Sequence, residues 1–138
     1  MKSRRSIICL WHTGGALCIG ALFYLFFRKE TYLHTFLQTY FQYAPPFIPV
    51  RNPILTVLCN HIGDFLWAYA LSSALYWIFP KNRYAAVSAF VGASVLGTGL
   101  ELLQKSEIVS GTFDGLDILA EIIAAGLAVI LIQRSLKK

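Results

Sequence analysis

Seven acidic side chains occur in this sequence of 138 residues, and five of them lie between Glu101 and Glu121. Glu101 has Gln104 one turn on. Asp114, Asp117 and Glu121 follow one another at steps of three and four, the spacing that puts side chains on one helical face. Upstream, Asn60, His61 and Asp64 form a second polar group. Carboxylates beside an imidazole can move protons, accept hydrogen bonds from a cationic group, or hold a cation. A Glu101/Asp117 pair in unlike surroundings could divide acid and base roles, which makes these two the catalytic candidates if any chemistry occurs. The sequence has no nucleophile with a neighbouring base, no GxSxG and no phosphate-cradling glycine loop, so binding is favoured over enzymatic activity. It has no HExxH or similar spacing, so no metal centre and no cofactor are expected.

The elements that position these groups are apolar. The chain is 57% hydrophobic and 14% charged, against about 45–50% and about 25% in ordinary soluble domains. An integral membrane protein is implied. An ionisable group at membrane depth costs about 2.5–3.5 kcal/mol on insertion scales, so each such group marks a candidate site. The net charge of +5 comes from basic residues at the ends of apolar runs, where membrane topology explains them; no nucleic-acid partner is expected. Cys9, Cys18 and Cys59 show no CxxC spacing and read as apolar burial.

Ile7 to Phe27 is an apolar run of 21 residues, enough to cross a bilayer. It ends at Arg28-Lys29-Glu30 rather than at a small-residue cleavage site, so an uncleaved first span is expected. Residues 30–53 carry Leu33, Phe36, Leu37, Tyr40 and Phe41 at helical spacing, an amphipathic helix suited to the membrane interface. Pro45, Pro46, Pro49 and Pro53 then break helix. The whole chain reads as a single all-α transmembrane domain, residues 1–138. It is a four-helix bundle with spans of about 7–27, 55–79, 84–104 and 115–132 and the interfacial helix between the first two. Trp67, Tyr69, Tyr76 and Trp77 read as lipid-facing or belt residues. Pro80-Lys81-Asn82-Arg83 makes a tight turn and Ser110-Gly111-Thr112 another. Asp114 is placed to cap the last span.

Two stripes of small residues lead to the acids. Ala89, Ala93, Gly97 and Glu101 recur every four residues, and Asp117 and Glu121 continue into Ala124, Ala125 and Ala128. Small residues let helices approach closely in lipid. His61, Asp64, Ala68 and Ser72 form a third face. Lys and Arg number eight in segments 1–5, 80–83 and 133–138, against Arg28, Lys29, Arg51 and Lys105 in the alternate loops. The positive-inside rule then puts both chain ends in the cytoplasm. On that topology Asn60, His61, Asp64, Glu101, Gln104, Asp114, Asp117 and Glu121 all lie in the outward half of the bundle, as one binding site. The acids there keep some protons, pair with His61, Arg51 or Lys105, or hold a cation.

Glu101-Leu102-Leu103-Gln104, followed by Gly111-Thr112-Phe113-Asp114-Gly115-Leu116-Asp117-Ile118-Leu119-Ala120 and a small-residue helix, resembles the end of the VanZ-like membrane proteins. Asn60-His61-Ile62-Gly63-Asp64 resembles the polar opening of the equivalent helix, and Gly63-Asp64-Phe65-Leu66-Trp67-Ala68 also resembles a related group of small inner-membrane proteins. The likeness covers residues 57–132. It carries the family's Glu, Gln, Asp and Asp over as Glu101, Gln104, Asp114 and Asp117. The family's Arg before the first Asp is replaced by Gly111 or Thr112, and its Asn after the second Asp by Glu121, so the site is more negative. The resemblance implies a bacterial cell-membrane protein, in a family whose best-known member is linked to glycopeptide resistance; it supplies no reaction.

The expectation is therefore a multi-pass membrane protein in contact with the lipid bilayer, with an outward-facing acidic site for a lipid-linked or cationic envelope molecule. The alternatives are a purely structural or interaction bundle, or a proton- or cation-coupled transporter subunit, which four short spans would form only as an oligomer.

Overall fold

In the computed structural model, residues 4–28, 31–79, 82–109 and 113–137 are described. They form five helices, four of them long and apolar enough to cross a membrane by length and composition. Helix α1 spans Arg4–Phe27, α2 Tyr32–Phe41, α3 Pro53–Ile78, α4 Ala85–Lys105 and α5 Gly115–Lys137. The fold is all-α and compatible with a multi-pass transmembrane protein.

The helix ends follow from local chemistry. Asn52 caps α3, its Oδ1 accepting from Ile54 N at 2.9 Å and Leu55 N at 3.4 Å. Pro53 does not break a helix here; it starts one, because the first helical position needs no N–H donor. Thr31 caps α2 by accepting from His34 N at 3.3 Å. That short helix ends at Gln42 in the left-handed region, φ 52°. Tyr84, expected as the start of the third span, is instead the residue before it. Helices α1 and α5 extend into their basic ends, to Arg4 and to Lys137. There the Arg5 guanidinium donates to the carbonyls of Tyr76 and Phe79 and lies 4.7 Å from the Tyr76 ring centroid. Arginine thus occupies the carbonyl groups that the C-terminus of α3 leaves open. The expected turns at Pro80-Lys81 and Ser110-Gly111-Thr112 lie outside the described residues, as do Lys29 and Glu30.

Helix α3 packs most extensively against α5 and α1, and α5 also packs against α4. Among the described residues the backbones of α1 and α4 do not approach each other, so α3 and α5 form the short diagonal of the bundle. Helix α2 approaches α1 alone among the described helices. The short link between α3 and α4 makes them antiparallel neighbours.

The interior is built from small side chains. Ala68, Ser72, Ala89, Ala93, Ala124, Ala125 and Ala128 are fully buried, and the largest fully buried side chain is Ile132. Large apolar residues such as Leu17, Leu22, Val87, Val95, Leu119 and Ile130 face outward. Close backbone approach through small residues, with large aliphatics outside, is how helices associate where the surroundings are as apolar as leucine. Ser72 adds an interhelical bond, its Oγ donating to Ala125 O at 3.0 Å.

Of the four rings read as lipid-facing or belt residues, two are exposed and two are not. Trp67 and Trp77 are exposed. Tyr76 is buried beneath Arg5, and Tyr69 is turned inward, its hydroxyl 2.5 Å from His12 Nδ1. Each inward tyrosine has a polar partner from α1: the Tyr69 hydroxyl meets His12, and the Tyr76 ring lies against the Arg5 guanidinium.

Candidate functional site

The end of the bundle where α3 and α5 begin and α1 and α4 finish is acidic. The His61/Asp64/Ala68/Ser72 face of α3 turns inward as its spacing implies, with Ala68 and Ser72 fully buried. On α4, Ala89, Ala93, Gly97 and Glu101 are all buried, and Glu101 is only 5% exposed. On α5, Glu121 is 4% exposed and leads into the buried Ala124, Ala125 and Ala128. Three helices therefore bring carboxylates inward at one level.

Two adjoining cavities result. The mouth cavity has a volume of about 530 Å³. Asn60, His61 and Asp64 line it from α3, Glu101 and Gln104 from α4, and Asp114 and Asp117 from the start of α5. Seven of the eight residues proposed from sequence thus share one cavity. The eighth, Glu121, lines a deeper cavity of about 290 Å³, which shares Asp64, Glu101 and Gln104 with the mouth. Tyr24, Gly63, Trp67 and Leu100 complete the deeper wall.

The polar contacts fix these groups. His61 Nδ1 is hydrogen-bonded to Asp117 Oδ1, a half-buried pair across α3 and α5. Asp114 caps α5, its Oδ1 accepting from Leu116 N at 2.9 Å. Its own backbone N–H donates to Glu101 Oε2 at 3.2 Å, tying the start of α5 to the end of α4. Glu121 is different: it is nearly fully buried, and its Oε2 has no hydrogen-bond partner.

Of the three cations expected to pair with the acids, only His61 does so. Arg51 is exposed and lines neither cavity, and Lys105 lies 5.0 Å from the Phe113 ring centroid instead. The cation that does reach the mouth is Arg28, whose Nη2 donates to Asn60 O at 3.1 Å. The signal was available: the first span ends on the same side as the other polar groups, yet Arg28 reads as an ordinary loop charge. Tyr24 and Trp67 were missed because nothing in the apolar spacing distinguishes a cavity wall from a lipid-facing ring. One further arrangement is invisible to local spacing. Donor atoms of His61, Asp114 and Asp117 lie within 4.8 Å of one another, close enough to share a divalent ion. They come from two helices, so no short motif records them.

Together these features define a class: a helical bundle with four potential membrane spans and a carboxylate-lined, two-chambered cavity at one end. Compared with protein-family models, curated proteins and solved structures, the chain matches none of them.

Proposed function

We propose that the chain is a VanZ-like, multi-pass cell-membrane protein whose acidic cavity opens away from the cytoplasm and binds an envelope or lipid-linked molecule. In this reading both chain ends are cytoplasmic and α2 lies at the membrane interface. Support for the orientation comes from the basic segments, eight Lys and Arg on one side against four on the other. Support for α2 comes from its exposed Tyr32, Phe36, Tyr40 and Phe41, an aromatic surface that meets no helix but α1 among the described residues.

The observation that carries the binding role is the mouth cavity, where Asp64, Glu101 and Asp117 arrive from three separate helices around about 530 Å³ of open space. Direct bonds such as His61–Asp117 hold helices together for about 0.6 kcal/mol per pair; they do not account for the open space between the acids. No serine, threonine or cysteine is among its described lining residues, so the arrangement suits recognition better than covalent chemistry. The family's missing Arg bears on the ligand too. Arg28 reaches the cavity from α1 and can meet an anionic part of a bound molecule.

The test is to purify the full chain with its membrane lipids and identify what it retains by mass spectrometry. Glu101→Gln and Asp117→Asn should accumulate normally and lose the retained molecule by about tenfold or more, since a hydrogen bond to a charged group is worth about 1.5–3 kcal/mol. Variants that accumulate less but retain the molecule in proportion would leave a structural bundle as the role.

A further inference from the structure

The deeper cavity is a chamber of unbalanced charge. Asp64 faces it from α3, Glu101 from α4 and Glu121 from α5, while α1 contributes only the neutral Tyr24. No Lys, Arg or His is among its described lining residues. Glu121 is 96% removed from solvent by its 4% exposure, and its Oε2 has no partner. Its carboxyl group stands in the cavity wall with Oε2 turned against Gly97. A buried carboxyl group that lacks a partner within the protein is costly, and one that borders a cavity points to something that fills it.

We propose that this chamber is the subsite for a protonated primary amine, which rests on the reading of the joined cavity as a ligand site. An –NH₃⁺ group offers three donors and no acceptor, and three carboxylates from three helices surround the space. Trp67 and Tyr24 form part of the wall; the Arg28 guanidinium already lies 5.9 Å from the Tyr24 ring centroid, so Trp67 is the ring left to attract an organic cation. A bare metal ion fits less well. The only set of described donor atoms near enough to chelate one is His61, Asp114 and Asp117 at the mouth, not this trio. The space, about 290 Å³, is also roughly ten times the volume of one liquid water, about 30 Å³. The amine is either the headgroup of an envelope lipid or a small soluble molecule; the chemistry of recognition is the same.

The full-length protein is reconstituted in nanodiscs of phosphatidylglycerol carrying equal small fractions of phosphatidylethanolamine and phosphatidylcholine, and retained lipids are read by native mass spectrometry. Free ethanolamine is titrated separately by calorimetry in pure phosphatidylglycerol discs. The wild type should retain phosphatidylethanolamine over phosphatidylcholine by about tenfold or more, the worth of hydrogen bonds to a charged group that a quaternary ammonium cannot make. Glu121→Gln, which keeps the shape, should bring that ratio close to one, and Gly97→Ala, which crowds the Glu121 carboxylate, should lower it too. Binding of free ethanolamine that is lost in Glu121→Gln, without lipid selectivity, supports the subsite with a soluble source. Equal retention of both lipids with no binding of free ethanolamine overturns the proposal, as does undiminished selectivity in Glu121→Gln. Retention of an envelope molecule that lacks an amine, lost in Glu101→Gln, overturns the amine subsite and leaves the wider binding function standing. No retained or bound molecule in any arm overturns both.

Discussion

The carboxylate of Glu121 on α5 lies directly over Gly97 on α4, so close that a Cβ added at Gly97 would overlap it, with the carboxyl carbon only 2.7 Å away. The glycine is the gap through which a buried acid passes between two helices. It also explains why the small-residue stripe of α4 narrows to glycine one turn before Glu101.

Gly97→Ala should therefore destabilise the protein by about 1–3 kcal/mol, the usual cost of overpacking, although alanine is the better helix former by about 1 kcal/mol. Thermal unfolding in detergent measures it. Combining Gly97→Ala with Glu121→Ala should recover part of the loss, a coupling of about 0.5–3 kcal/mol. Additive losses would mean that the two residues do not touch.

Glu121→Gln alone should leave stability unchanged or raise it by about 1–3 kcal/mol, because the amide cannot ionise at a buried position where the carboxyl group has no partner. The same variant is expected to lose ligand selectivity. A stabilised protein that no longer binds is the signature of a group retained for function. Clear destabilisation by Glu121→Gln would instead show that the acid holds α4 and α5 together.

His61 and Asp117 should behave as a unit. His61→Ala and Asp117→Ala each remove the bond between α3 and α5, at about 1–3 kcal/mol for the partner left behind. The double variant should cost clearly less than the sum, measured as a double-mutant cycle. A cycle that closes at zero would place the two side chains apart.

At the opposite end, Arg5→Met should destabilise the protein by about 1–3 kcal/mol by freeing the carbonyls of Tyr76 and Phe79. Arg5→Lys should recover only part of this, since an ammonium cannot reproduce the planar fork or its stacking on Tyr76. Equal stability of the methionine and lysine variants would contradict the role given to Arg5.

Much of this arrangement was legible in the sequence because it is periodic. The inward faces of Ala89, Ala93, Gly97 and Glu101, and of His61, Asp64, Ala68 and Ser72, follow from helical spacing alone, and all eight are buried or half-buried. Asp114 capping α5 follows from its place beside a glycine-containing turn. What could not be read is which face meets which. Helices that are apolar all round carry little directional signal, so Tyr69 and Tyr76 passed for belt residues although α1 partners both. Arg28 was placed correctly along the chain but not across it. The extra turn between Asp117 and Glu121 sets Glu121 in the deeper of two adjoining chambers, a depth that spacing along one face does not give. The extension of α5 to Lys137 was missed because basic residues after an apolar run look like a tail.

The alanine and serine interior has one more consequence. Truncation scanning, the usual way to map which positions matter, should be nearly silent at Ala89, Ala93, Ala124, Ala125 and Ala128, because those side chains have almost nothing to lose. Enlargement should be the informative experiment: a valine or leucine introduced at Ala93 or Ala124 would wedge the backbones apart, and tolerance to such growth would trace the seams between helices.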